Sequence, residues 1–122
     1  MQFLMMVKSS EAAMATNPPP AEFMAKMGQY AAEMTTKGIL VTSAGLMPSL
    51  HSSKVRMSKG KLTITDGPFT EAKEIVGGYA VLEARSKDHA IELASEFLGV
   101  HSTWPGWEGE VEIRPLMTMP PR

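Results

Sequence analysis

The sequence contains no cysteine, and that one absence removes disulfides, thiol nucleophiles and thiolate metal sites together. Histidine is scarce as well: His51, His89 and His101 are too widely separated for a spacing such as H-x-x-x-H, so no metal centre is expected. No apolar run approaches the roughly 20 residues of a membrane span, and the opening Met-Gln-Phe-Leu-Met-Met-Val is too short and lacks the basic flank of a signal segment. Neither sign of charge dominates. The 12 basic and 13 acidic residues are mixed along the chain, with no basic stripe for nucleic acid and no acidic tail. Dinucleotide and phosphate-loop fingerprints are missing too, so no cofactor is expected. The reading is a soluble, cytoplasmic protein with neither nucleic acid nor membrane as partner.

What is present points to one domain spanning residues 1–122, long enough to bury about two thirds of the surface of its unfolded chain. Eleven methionines stand out at this length. Thioethers fill irregular gaps in a core and adapt to varied ligands, and the core is their commoner use.

Taken in order, residues 2–8 are apolar at alternate and intervening positions, the pattern of a central strand. Ser9 to Pro20 ends in Pro18-Pro19-Pro20 and reads as a connecting loop. Phe23, Met27, Tyr30 and Met34 fall at helical spacing, which predicts a helix over 21–37 stopped by Gly38. A second strand follows over 39–46. Val55 and Met57, then Leu62 and Ile64, alternate with polar residues around Lys59-Gly60, which predicts a β-hairpin with one polar face. The apolar run over 75–84 reads as a strand covered on both faces. Ser86 caps a helix whose stripe is Ala90, Ile91, Ala94, Phe97 and Leu98, ending at Gly99. His101, Trp104 and Trp107 share the next loop, positioned to lid a pocket or to pack across a dimer interface. Val111 and Ile113 mark a last strand.

Strand, helix, strand, hairpin, strand, helix, strand is the order of a ferredoxin-like α+β domain, βαβ-βαβ with an inserted hairpin. Both helices on one face leave the other face bare, with Leu, Met and Val rather than charges on it. A second copy of the chain is the simplest cover, so a homodimer is expected.

The stretch from Asp66 to Tyr79, DGPFTEAKEIVGGY, organises the chain. Gly67 precedes a proline, which together favour a sharp turn. Because Pro68 has no N–H, the Asp66 carboxylate, if it folds back, must look for the amides of Phe69 or Thr70. Thr70 stands where a cap would precede a single helical turn over 71–74. The paired glycines Gly77 and Gly78 inside a good strand mark a bulge or the close approach of a ligand or a neighbouring element.

This motif, with the opening MQFLMMVK and the closing VEIRPL, resembles the DGPF-containing branch of the YCII-related proteins over nearly the whole chain. The resemblance implies a dimeric α/β barrel, in which two ferredoxin-like sheets pack face to face around pockets. It implies little chemistry, because the family's members are mostly uncharacterised. The His-Asp pair proposed as catalytic in one branch does not transfer, since the helix over 21–37 has no histidine.

Among candidate residues, Asp66 can serve as a general base or hold a ligand amine, and its structural alternative is an Asx-turn. His51, in the loop entering the hairpin, can reach a pocket mouth or stay solvated. Thr70, Lys73 and Tyr79 complete a set of possible substrate contacts: Lys73 for an anion, Tyr79 by its hydroxyl, with core packing as the alternative for Tyr79. The expected function is acid-base chemistry on a small-molecule ligand in the pocket of a dimeric α/β barrel, with Asp66 and His51 catalytic. The alternative is a non-catalytic module that binds a metabolite or a protein partner.

Overall fold

The computed structural model describes residues 1–10, 19–69 and 74–117. Four strands form one antiparallel sheet in the order β2 (Leu40–Gly45), β5 (Ile75–Glu83), β1 (Gln2–Ser9), β6 (Glu110–Pro115). β1 is central, as its two apolar faces require, and the α+β order of strands and helices is the expected one. β3 (Ser53–Ser58) and β4 (Lys61–Asp66) pair only with each other. Their two-residue turn holds Lys59 at φ 51° and Gly60 at φ 78°, the left-handed pair whose twist matches two flanking strands.

The core lies between the sheet and two helices, α1 (Ala21–Thr36) and α2 (Lys87–Val100). Alternation sends Phe3, Met5 and Val7 of β1 and Ala80 and Leu82 of β5 to the helix side, where all five are buried. They meet Met34 and Tyr30 of α1 and Ala90, Leu93 and Ala94 of α2. The α1 stripe is the predicted one. On α2 the face is rotated slightly: Leu93 is buried and Ile91 is exposed.

Helix ends follow local chemistry. Gly38, at φ 74°, terminates α1 in the left-handed conformation. Ser86 caps α2, its hydroxyl accepting from the His89 amide at 3.1 Å. His89, in the first turn of α2, folds back on the chain, and its Nδ1 accepts from the Arg85 amide at 3.0 Å. Gly99 does not stop α2. The helix runs to Val100 and tightens into a 3₁₀ turn, His101–Thr103, because the His101 ring bonds the Phe97 carbonyl and relieves one of the carbonyls a helix end leaves open.

The face of the sheet away from the helices is open. Leu4, Met6 and Val81 sit half-buried on it and Tyr79 is exposed. The β6 side of this face is charged, contrary to the expectation of a uniformly apolar surface: Lys8 donates to Glu112 at 2.6 Å, and Arg114 donates to the other oxygen of the same carboxylate. No helix of the described residues is long and apolar enough to cross a membrane.

Candidate small-molecule site

A cleft of about 440 Å³ opens between α1 and the β2–β5 side of the sheet. Its walls come from methionines and aromatics: Met24, Met27 and Met34 on α1, Phe97 on α2, Trp104 and Trp107 beyond it. The floor is thin for a simple reason. Strand alternation points positions 43, 45, 78 and 80 toward the helices, and these are Ser43, Gly45, Gly78 and Ala80, all small. A methyl group added at Gly45 would meet no atom within 4 Å.

The glycine pair also explains itself here. The register of β5 against β1 skips Gly77, which is therefore a bulge, and its carbonyl accepts from the Leu46 amide at 2.9 Å. What approaches Gly78 closely is the neighbouring strand: a Cβ there would lie 3.2 Å from the Ala44 carbonyl oxygen.

His101 is the buried ionisable group of this wall. Its ring packs against Phe23, Phe97 and Trp107 at centroid distances of 4.9, 5.0 and 4.2 Å. Nδ1 lies 3.1 Å from the Phe97 carbonyl, which can only accept, so Nδ1 carries the proton and Nε2 keeps its lone pair. Burial disfavours the imidazolium and pushes the pKa below the ordinary 6.5, against the smaller opposing pull of that carbonyl. The ring is a neutral acceptor. Tyr30 is held in the opposite sense: burial and the nearby Glu96 raise its pKa to about 12, while its hydroxyl donates to the Leu93 carbonyl and to Glu96, tying α1 to α2. The cluster of His101, Trp104 and Trp107 packs against Phe23 and Phe97 of its own chain and forms part of the cleft wall.

The predicted site residues fall elsewhere. His51 ends a 3₁₀ turn, Ser49–His51, and lines a second, wider cleft with Ser49, Ser52, Lys54 and Glu74. The two clefts share Leu46, Met47, Ile75 and Val76, so one opens beside the other. Asp66 lines neither. Its carboxylate accepts from the Ser53 hydroxyl at 2.6 Å, and the Phe69 amide donates to the Ser49 hydroxyl at 3.1 Å, while the Thr70 amide lies outside the described residues. Thr70 and Lys73 lie outside the described residues, as does most of the helical turn expected after them. Tyr79 lines the apolar cleft, yet alternation turns its ring to the open face, so it is not part of the core. The structure therefore brings His51 to a cleft and does not bring Asp66 to it.

The Asp66–Phe69 turn has a structural logic of its own. The Gly67 amide donates to the Ser52 carbonyl at 2.7 Å, and a Cβ at position 67 would overlap the Ser49 carbonyl. Only glycine fits there. The Gly67–Pro68 peptide is cis, Phe69 is buried, and Lys54 places its ammonium 4.1 Å from the centre of the Phe69 ring. The turn fastens the base of the hairpin to the 3₁₀ turn that carries His51.

A family model described as the YCII-related domain matches residues 1–119. The chain belongs to the YCII-related family. The chain is also similar to an uncharacterized protein of Rhizobium meliloti (strain 1021), 31% identical over 84 residues. That match covers 69% of this chain and 64% of the relative, so the chain spans less than two thirds of that protein's length. Neither likeness names an activity for this YCII-related protein.

Among its described residues no group of three or more histidine, aspartate or glutamate side chains is placed to hold a metal ion. Sequence reasoning passed over His101 as a site residue. Its signal was the spacing: Ala94, Phe97 and His101 continue the α2 stripe for one more turn, which places the imidazole on the buried face.

Proposed function

We propose that this YCII-related protein, of the DGPF branch and built as one half of a dimeric α/β barrel of ferredoxin-like sheets, binds a small and mostly apolar molecule in the cleft between α1 and the sheet. The observation that carries this reading is the cleft itself. Its volume falls in the roughly 300–1,000 Å³ range of small-molecule sites. Its glycine floor leaves room that a leucine or methionine would fill to the benefit of stability. Among its few polar groups, the neutral His101 ring and the Ser43 hydroxyl are available for a directed hydrogen bond to a mostly apolar ligand.

The only two tryptophans of the chain, Trp104 and Trp107, both line the cleft, so intrinsic fluorescence reports its occupancy. Titration with 1-anilinonaphthalene-8-sulfonate is expected to give a saturable change that Gly45→Leu abolishes while leaving the far-UV circular dichroism intact. Equal titration of both proteins would overturn the reading.

The enzymatic reading is favoured by one particular feature, the seam of Leu46, Met47, Ile75 and Val76 common to both clefts. A ligand seated in the apolar cleft can extend its polar end toward His51, Ser49 and Lys54. His51 is then the acid-base group. Asp66, bonded to Ser53 two residues along the chain, acts as a positioning residue. Once a substrate is found by screening, His51→Gln is expected to abolish turnover, while Asp66→Asn reduces it and shifts the pH profile. Full activity in His51→Gln would leave the binding reading alone.

A further inference from the structure

Beyond its base, where Lys54 lies over Phe69, the hairpin pairs with no other strand of the described fold. Every residue of β3 and β4 is exposed, and an isolated two-stranded hairpin is at best marginally stable in water. One face carries Val55, Met57, Leu62 and Ile64, brought together by the pairs Val55–Ile64 and Met57–Leu62, each between 64% and 72% exposed. Four such side chains make a patch of a few hundred Å², on the order of the largest apolar patch on an ordinary monomer.

The same segment is cationic. From Ser53 to Thr65 it holds Lys54, Arg56, Lys59 and Lys61 and no acidic residue, in a chain whose formal charge is −1, so the remainder is net acidic. Lys54 lies over Phe69, whereas Arg56, Lys59 and Lys61 take part in no ion pair among the described residues. Carboxylates stand on the β6 edge of the sheet, Glu110 and Glu112, and beside it at Glu74, which also lines the second cleft with Lys54. Glu74 and Glu110 lie close enough for Glu110 to raise the Glu74 pKa, and Glu112 stands two residues along β6 from Glu110, where Lys8 and Arg114 already bond it. The Glu74 carboxyl is held above its ordinary pKa by Glu110, against the smaller opposing pull of Lys8, so a further cation set against the pair is favourable.

Topology relates these two surfaces. β2 and β6 are opposite edges of the sheet, and the chain leaves β2 for the hairpin at the end where Gly45 pairs with Gly78. Lys8 pairs with Glu110 at that same end. When two such sheets face each other about a two-fold axis along the strands, the β2 edge of one copy lies over the β6 edge of the other.

We propose that the hairpin is an exchanged arm, which lays its apolar face against the open sheet face of a second copy of this chain and sets Arg56, Lys59 and Lys61 against the carboxylates of residues 74, 110 and 112 of that copy. The inference rests on the dimeric reading given above and names the segment that clasps it. Exchange occurs twice by symmetry, so two arms add to the sheet contact in an interface that needs about 1,600 Å² in total. Both unpartnered surfaces of the fold, the hairpin and the open face, are covered by one operation.

The test is the dimer dissociation constant from sedimentation velocity at low salt, for the full chain and three variants. Arg56→Glu with Lys61→Glu is expected to weaken the dimer at least about tenfold, and Glu74→Lys with Glu110→Lys to do the same. All four changes in one chain restore it to within about threefold of the starting protein, a rescue that a merely damaged fold would not give. Leu62→Asn with Ile64→Asn, on residues that touch no core, weakens the dimer with an unchanged far-UV spectrum. A dimer indifferent to the charge reversals and to the asparagine pair overturns the arm while the dimeric reading stands. A monomeric starting protein overturns both.

Discussion

At position 67 a single hydrogen atom separates a fitting residue from an impossible one. A Cβ on Gly67 meets the Ser49 carbonyl, which is main chain and cannot swing away. Gly67→Ala is expected to cost about 1–3 kcal/mol, read as a lower urea midpoint at constant m-value. Gly28→Ala on α1, where an added Cβ meets nothing within 4 Å, is expected to stabilise by roughly 0.5–1 kcal/mol. The opposite signs in one titration are the check. His101 gives a pH-dependent prediction. Its folded pKa lies below the ordinary 6.5, so the unfolded chain binds the proton more readily. Stability is therefore complete above pH 6.5 and declines as pH falls through the window down to the folded value. His101→Phe removes that decline; a pair of melting curves, one at neutral and one at mildly acid pH, should show a smaller separation for the variant. An unchanged separation would mean that another group sets it.

Among elements, the helices were the most legible, because each is written in local terms. Phe23, Met27, Tyr30 and Met34 at helical spacing, a glycine at 38 and a serine cap at 86 all act within a few residues. Ser86→Ala is expected to cost about 1 kcal/mol, and amide exchange should rise first at His89, whose N–H the cap satisfies. The hairpin was equally legible as an element, from alternation on both sides of Lys59-Gly60. Its environment was not. One apolar and one polar face predict that the apolar side is buried, and in this chain it is exposed, since nothing within the described residues lies over it. The α2 terminus failed for a related reason. Gly99 is an ordinary stop signal, but the His101 side chain bonds the Phe97 carbonyl and carries the helix beyond it.

For the whole molecule, the balance lies between a well-filled core around Phe3 and two surfaces left uncovered, the open sheet face and the hairpin. If these surfaces meet in a dimer, folding and association are linked, and the melting temperature should rise with protein concentration. Scanning calorimetry over a hundredfold concentration range checks this; a constant midpoint is the result against it. A ligand of the proposed cleft would stabilise the fold by about 2.7 kcal/mol at a free concentration one hundred times its dissociation constant.

The sequence by itself determined the α+β order, both helices, the central strand, the hairpin and the family, because spacing, caps, turns and motifs act over short distances and survive as text. Only the tertiary structure decided where the chemistry gathers. Asp66 and His51 were expected to act together, yet the Asp66 carboxylate accepts from the Ser53 hydroxyl and lines neither cleft, while His51 lines the second. His101, grouped as text only with the loop tryptophans, becomes a neutral buried group when Phe23 and Phe97 of the two helices close around it together with Trp107. Burial and enclosure depend on residues far apart in the chain, and no local pattern encodes which of them will meet.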